Sequence, residues 1–180
     1  MDWLIPIMVF FGVFTQTVAG FGSALVTMAV LPGVLSVRVA SPLVALMSFT
    51  LEVVLLIRYR NAINFGAVWR LSLAAIVGIP IGIAAIRSIS EEVVLTILGA
   101  ILVGYSIYAL ITPKLPELKQ PAWAFGFGFV GGLLSGAYNV AGPAAVIYGN
   151  CRGWEPAEFK SNLQGLFLIN DLTVVMLPTT

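Results

Sequence analysis

Residues 135–148 read SGAYNVAGPAAVIY and place a Gly-Pro pair in the middle of a long apolar run. Proline lacks a backbone N–H and breaks the helical hydrogen-bond ladder, and glycine weakens that ladder further. Tyr138 and Asn139 add polar side chains just before the break at Gly142 and Pro143. Irregular backbone at membrane depth is tolerated only where protein shields it or where it lines a cavity. If this run lies in a membrane, it predicts a broken or re-entrant helix.

The composition places the chain in a membrane. Its 180 residues are 59% hydrophobic and 9% charged, with a mean hydropathy of +1.02. Soluble domains carry about 25% charged residues, so these charges could not cover a soluble protein of this size. A net charge of +1 offers no basic surface for nucleic acid. The chain has no histidine and one cysteine, Cys151, so no metal, cofactor or intrachain disulfide is expected.

Apolar runs along the chain predict an all-α fold, a polytopic transmembrane helical bundle. A spanning helix needs about 20 mostly apolar residues. Two runs, 3–35 and 122–150, are too long for one simple span, and each carries a glycine interruption near its middle. Ser90, followed by Glu91 and Glu92, predicts the N-terminus of a helix. The runs fall at roughly 3–35, 42–57, 66–86, 92–111, 122–150 and 163–177.

The two halves place the same elements in the same order, which favours two structural repeats, each with one broken or re-entrant helix. TLEVVLL at 50–56 resembles DLTVVML at 171–177, an offset of 121 residues (171 − 50). The predicted domains are a first transmembrane repeat at 1–111, a linker at 112–121 and a second, incomplete repeat at 122–180. A truncated sequence and a protein with six genuine segments are the two interpretations of the missing final helix pair.

The two breaks are the first candidate site, and they suit an anion. Paired interruptions at corresponding places in two halves are the best sequence indication of a transporter binding site. A half-helix that begins inside the bilayer presents free N–H groups and the positive end of its dipole, which favour an anion. The candidate substrate-binding residues at the breaks are Gly20, Gly22, Ser23, Tyr138, Asn139, Gly142 and Pro143.

Close helix packing is the alternative explanation for glycine in these runs. It is the stronger explanation where small residues recur every four positions along a helix. Such spacing occurs at Gly128, Gly132 and Gly136, and again at Gly78 and Gly82.

Polar residues that follow the breaks extend the candidate site. Ser41 and Pro42 predict the start of the helix after the first break, and Lys160 lies at the start of the helix after the second. Lys160 and Gln164 share one helix face, with Asn162 between them in sequence. A cation beside amides would suit a sulfonate or a carboxylate. The alternative is an interfacial lysine that extends to the lipid headgroups.

Two acidic residues inside apolar runs are candidates for ion coupling. Glu52 falls within the second run and Asp171 within the sixth. Ionisable groups inside a span are costly and usually mark ion or proton paths, so either residue could carry a proton in a coupled cycle. The alternative is an ion pair with an arginine near a helix end, for example Glu52 with Arg58 or Arg70.

The sequence resembles the TauE/SafE family, also called the 4-toluene sulfonate uptake permease family. The resemblance covers nearly the whole chain, although Ser23 and Asn139 stand where the family commonly has glycine. It implies seven or eight spans in two repeats, with multi-pass placement in a bacterial inner membrane. It also implies transport of an organosulfur or related anion, driven by an ion gradient. The residues that carry it are AGFGSALVTMAVLP (19–32), VASPLVALMSF (39–49), GGLLSGAYNVAGPAAVIYG (131–149) and EFKSNLQGLFLIND (158–171).

A secondary transporter for sulfite, a sulfonate or another sulfur-containing acid is the leading hypothesis. A non-transporting membrane subunit that docks a partner through its glycine-lined helix faces is the alternative. An enzyme is not expected, since the sequence has no Ser/His/Asp set, nucleotide-binding loop or Cys/His metal spacing. The expected partners are a small-molecule anion and membrane lipid, with a homodimer as an option and no nucleic acid.

Overall fold

The computed structural model describes residues 4–33, 35–111 and 115–177, and the regular structure within these residues is helical. Short 3-10 helices follow α2 at Leu31–Gly33 and α3 at Arg60–Ala62. The outer ends of the predicted repeats, 1–3 and 178–180, and residues 112–114 of the predicted linker lie outside the described residues. The α-helices are α1 (Leu4–Ala19), α2 (Ser23–Val30), α3 (Val37–Tyr59), α4 (Phe65–Ser88), α5 (Glu91–Ile111), α6 (Trp123–Tyr138), α7 (Gly142–Cys151) and α8 (Pro156–Met176).

Three helical segments in the described part of the chain are long and apolar enough to cross a membrane, namely Val37–Ala62, Phe65–Ser88 and Glu91–Ile111. The all-α prediction is confirmed. The start of α5 directly after Ser90 is confirmed as well, with two acids in the first turn at the positive end of the helix dipole.

The start predicted for α3 was wrong by one turn. The helix begins at Val37, after an extended Ser36, so Ser41 and Pro42 lie inside the helix. Proline removes one intrahelical hydrogen bond there. Val37 and Ala40 are nonetheless buried at 1% and 0% exposure, and packing of this turn outweighs the lost bond.

α4 and α6 pack with their backbones in contact, and glycine makes this contact possible. A Cβ atom on Gly128, Gly132 or Gly136 would overlap backbone atoms of α4. A Cβ atom on Gly78 or Gly82 would likewise overlap backbone atoms of α6. The prediction that these glycines serve close helix packing is confirmed, and α6 is held along the length of α4.

The helices around the two breaks recur at one interval in the sequence. α6 ends 119 residues after α1 (138 − 19). α7 begins 119 residues after α2 (142 − 23), and α8 begins 119 residues after α3 (156 − 37). The sequence match between 50–56 and 171–177 has an offset of 121 residues (171 − 50), two more than this interval. That offset came from aligning identical valines, whereas the interval of 119 residues comes from the helix boundaries.

α8 carries polar side chains into the interior of the described fold. It packs against α3 and α4. Ser161, Asn162, Gln164, Asn170 and Asp171 are all buried on it. Buried polar groups need hydrogen-bond partners from their neighbours, so this helix face indicates where a polar site lies.

Candidate functional site

Each break contains residues with left-handed backbone conformation. Gly20 and Gly22 have φ angles of 86° and 109°, and Asn139 has a φ angle of 54°. The Asn139 N–H donates to the carbonyl of Ser135 at 2.7 Å and so closes α6. Glycine takes this conformation without strain, and asparagine is among the few other residues that adopt it. Asparagine can therefore replace glycine at the second break without moving the backbone.

A cavity of about 20 Å³ lies between the two breaks. Gly22, which precedes α2, and Gly142, which begins α7, both line it. A volume of this size holds about one water molecule, so a larger ligand enters only when the walls move apart. The polar residues of the wall come from α1, α2, α3, α6, α8 and the second break, and they are Gln16, Ser23, Ser48, Glu52, Ser135, Asn139, Asn170 and Asp171.

Glu52 and Asp171 bring two carboxyl groups together at this cavity. The two side chains, from α3 and α8, lie within hydrogen-bonding reach of each other. Both residues are buried, at 2% and 4% exposure. A hydrogen bond between two carboxyl groups needs one proton, because two carboxylates offer no donor. Arg58 and Arg70, the alternative partners considered for Glu52, lie over aromatic rings instead.

Asn139 joins the second break to this carboxyl pair. With its amide nitrogen turned toward α8, Asn139 donates to Oδ1 of Asp171 at 3.0 Å, and its oxygen accepts from the N–H of Ala45 at 3.1 Å. This orientation of the amide is assigned because it satisfies both of its ends. A predicted substrate-binding residue is thereby in contact with a predicted coupling residue.

A series of side-chain hydrogen bonds joins the first break to α8. Gln164 Nε2 donates to the carbonyl of Gly20 at 2.6 Å, and Gln16 Nε2 donates to Gln164 Oε1 at 3.0 Å. Ser23 Oγ donates to Gln16 Oε1 and lies 3.1 Å from Ser48 Oγ. Gln164 and Gly20 therefore support the cavity from behind, while Ser23 faces into it.

Lys160 and Asn162 lie away from the cavity, near the start of α8. Lys160 Nζ donates to the carbonyl of Thr17 at 3.2 Å and lies 5.5 Å from the centroid of the Tyr59 ring. Asn162 Oδ1 accepts from the N–H of Asn64 at 2.7 Å. These contacts attach the first turns of α8 to the end of α1 and to the entry of α4.

Tyr138 and Pro143 flank the second break without lining the cavity. The Tyr138 hydroxyl donates to the carbonyl of Val94 on α5 at 3.1 Å. Pro143 lies in the first turn of α7, where an N–H would have no acceptor within the helix. Both residues therefore shape the break, and of the predicted residues Gly22, Ser23, Asn139, Gly142, Glu52 and Asp171 line the cavity.

Four polar lining residues, Gln16, Ser48, Ser135 and Asn170, carry no motif of their own in the sequence. Asn170 is 1% exposed, and neither end of its amide has a hydrogen-bond partner among the described residues. An amide inside an apolar run is a usable signal, and it would have pointed to Gln16 and Asn170. The two serines offer no such signal, because serine is common wherever membrane helices pack closely.

These features define an all-α membrane protein with a polar cavity between two helix breaks. The model of the family described as "Sulfite exporter TauE/SafE" matches residues 4–177, and the chain belongs to this family. The resemblance inferred from the two motif pairs is thereby confirmed.

A curated relative from Cupriavidus necator carries the name "Probable sulfite/organosulfonate exporter TauE". It is 24% identical over 164 residues, which cover 88% of this chain and 64% of the relative. The chain thus spans less than two thirds of the length of the curated relative that it matches. No solved structure matches the chain significantly.

Proposed function

We propose that the chain acts as a secondary transporter that moves a small sulfur-containing anion, such as sulfite or a sulfonate, across the bacterial inner membrane. Membership of the TauE/SafE family and the name of the relative support this substrate class. Three helical segments that are long and apolar enough to cross a membrane support multi-pass placement. The observation that carries the proposal is the polar cavity between the two helix breaks, the arrangement in which transporters bind their substrates.

Two structural repeats, divided at the linker 112–121, account for the constant interval between helices. In this arrangement α1 and α2 correspond to α6 and α7, and α3 corresponds to α8. Gly20 then corresponds to Asn139, and Glu52 corresponds to Asp171. Two residues with left-handed backbone conformation and two buried acids therefore fall at equivalent positions. This agreement supports the repeats independently of the helix boundaries.

In the proposed transporter, the anion binds where α2 and α7 begin. The first N–H groups of each half-helix have no acceptor within the helix and carry the positive end of its dipole. Ser23 and Asn139 add side-chain donors at the same wall. Lys160 packs its stem against Gly20 and holds a positive charge behind the first break. Movement of the two halves alternates access and opens the cavity to an oxyanion.

An ion gradient drives this cycle, with Glu52 and Asp171 as the coupling residues. Buried acids within spanning segments usually mark ion paths. The contact between these two acids joins α3 to α8, so a bound ion changes the contact between the two proposed repeats. Asn139 connects ion binding to anion binding, because it lies in the second break and its side chain donates a hydrogen bond to Asp171.

Flux through proteoliposomes tests the function. We expect the purified full chain to carry labelled sulfite or methanesulfonate faster than protein-free liposomes. Asn139→Ala and Lys160→Ala should lower this flux without lowering expression. Lys119→Ala is the matched control, because that side chain is 82% exposed and pairs only loosely, at 4.0 Å, with Glu117.

Normal flux in both test variants would remove Asn139 and Lys160 from the site. If no sulfur-containing anion is carried and a partner protein co-purifies in fixed ratio, the membrane-subunit hypothesis is preferred to the transporter.

A further inference from the structure

We infer that the chain binds its anion together with a proton held by Glu52 and Asp171, and therefore works as a proton–anion symporter. This inference rests on the proposed function and adds the identity of the coupling ion and the sign of the coupling. It follows from the position of the carboxyl pair, which lines the same cavity as the starts of α2 and α7.

The cavity wall holds two acids and, among the described residues, no positive charge. Glu52 and Asp171 are the ionisable groups that line it, while α1, α2, α6 and α7 contribute uncharged groups. Each of the two carboxyls faces the other, and Asn139 is the neutral donor beside them. Lys160 lies about three turns away along α8 and donates to the carbonyl of Thr17. An anion in the cavity would therefore meet uncompensated negative charge unless the carboxyls carry protons.

A proton is the cation that fits the observed contact. The Glu52 and Asp171 side chains contact each other directly, and two buried carboxyl groups in contact are compatible when they share a proton. Glu52 Oε2 and Asp171 Oδ2 are buried, and neither accepts a hydrogen bond from an N–H or hydroxyl group among the described residues. The neighbouring Asn170 amide is unpartnered as well and lines the same cavity. The site therefore has free acceptors through which a proton can arrive or leave.

The sign of the coupling follows from charge. An anion and an ionised carboxyl pair repel each other within one cavity, whereas an anion and a neutral pair do not. Anion binding therefore favours protonation, and by reciprocity protonation favours anion binding to the same extent. An exchanger would need the opposite, a site where proton and anion compete. Net flux in a symporter follows the sum of the proton and anion gradients.

Asn139 is the positioning residue of this coupling. Its single amide donates to Asp171 Oδ1 from the first residue after α6, within the second break. When a second proton, beyond the one that the two carboxyls share, neutralises the pair, this donor is no longer needed by a carboxylate and can turn to the anion. The side chain thus serves the acid and the anion in alternation, which glycine at the same position cannot do.

The number of protons taken up with each anion tests the inference. The full chain in detergent is titrated with methanesulfonate in two buffers that differ in ionisation enthalpy. A sulfonate keeps its charge across neutral pH, so the proton count belongs to the protein. We expect about one proton taken up per anion. The apparent Kd should then rise about tenfold per pH unit wherever the pair is ionised in the unliganded protein.

Variants separate the outcomes. The double variant Glu52→Gln, Asp171→Asn should bind the anion without proton uptake and with a Kd independent of pH. Asn139→Gly should weaken anion binding and flatten its pH profile. Glu92→Gln, an exposed acid on α5, should behave as the unmodified chain.

Three results overturn the inference while anion transport stands: proton release on anion binding, an unchanged proton count in the double variant, or a Kd that depends on Na⁺ at fixed pH. If the unmodified chain binds neither sulfite nor methanesulfonate between about pH 6 and about pH 8, the proposed function fails and takes the inference with it.

Discussion

Glu52 and Asp171 form a side-chain contact although they lie 119 positions apart (171 − 52), and each lies 15 residues beyond the first residue of its helix (52 − 37 and 171 − 156). The helices that carry them pack against each other. The two acids therefore meet at matching points of two helices rather than at the end of one. Substitution of either acid should therefore change the contribution of the other to the free energy of unfolding.

Glu52→Gln and Asp171→Asn should show non-additive effects on stability. Residues in direct contact have interaction energies of about 0.5–3 kcal/mol in double-mutant cycles. Thermal unfolding of both single variants and of the double variant measures this energy. The pair Glu92→Gln and Asp171→Asn is the control, which should be additive within about 0.5 kcal/mol because Glu92 is exposed on another helix. Equal additivity in both cycles would contradict the contact.

Asn139→Gly and Asn139→Ala should separate the backbone role of this residue from its side-chain role. Alanine in a left-handed conformation costs about 1–2 kcal/mol, whereas glycine does not. Both variants lose the buried hydrogen bonds of the amide, so we expect both melting temperatures to fall, and that of the alanine variant to fall further. Flux should fall equally in both, since both lose the amide that donates to Asp171. Full flux in the glycine variant would show that the amide is not used.

Gly132→Ala should destabilise the chain, and Gly126→Ala should not. The added methyl of the first variant would overlap the backbone of Ala75, while nothing lies within 4 Å of the corresponding position at Gly126. Overpacking of this kind costs about 1–3 kcal/mol. Both glycines belong to α6, and alanine forms helices better than glycine, so the control should be neutral or slightly stabilising. Melting temperatures in one detergent provide the comparison.

Gln164→Leu should weaken the structure around the first break. It removes the donor to the carbonyl of Gly20 and the acceptor for Gln16, both of them buried. Each buried polar group left without a partner costs about 1–3 kcal/mol. Gln120→Leu, at an exposed linker position, is the matched control. Proteolysis near residues 19–23 should increase in the first variant and stay unchanged in the second.

Much of this arrangement could be predicted from local chemistry. Glycine and proline inside apolar runs predicted where α1 and α6 end, because these residues interrupt the backbone ladder wherever they occur. Glycines spaced by four predicted close packing of α4 and of α6 for an equally local reason, although they did not predict that the two helices pack against each other. The acids at 52 and 171 stood out because charge is rare within apolar segments.

The contact between those acids could not be predicted, because it depends on register. The match between 50–56 and 171–177 placed Thr50 opposite Asp171, since valine and leucine interchange freely in apolar helices and fix no alignment. The helix boundaries give a register that differs by two residues from the sequence match. In this register Glu52, rather than Thr50, lies opposite Asp171. Lys160 and Gln164 were likewise predicted to share a face. Their partners, Thr17 on α1 and Gly20 in the first break, could not be identified from spacing along one helix.

The glycine contact between α4 and α6 has a mechanical consequence. Backbone touches backbone along this contact, so a sideways slip of either helix would drive one turn against the next. The two helices are therefore expected to move as one rigid unit, and the second break lies at the end of this unit. In the proposed transport cycle, movement would occur at the breaks, where Gly20 and Gly22 can absorb rotation, and at the contact between α3 and α8. In the proposed transport cycle, the carboxyl pair lies at the contact between α3 and α8, so its protonation would control movement at that contact.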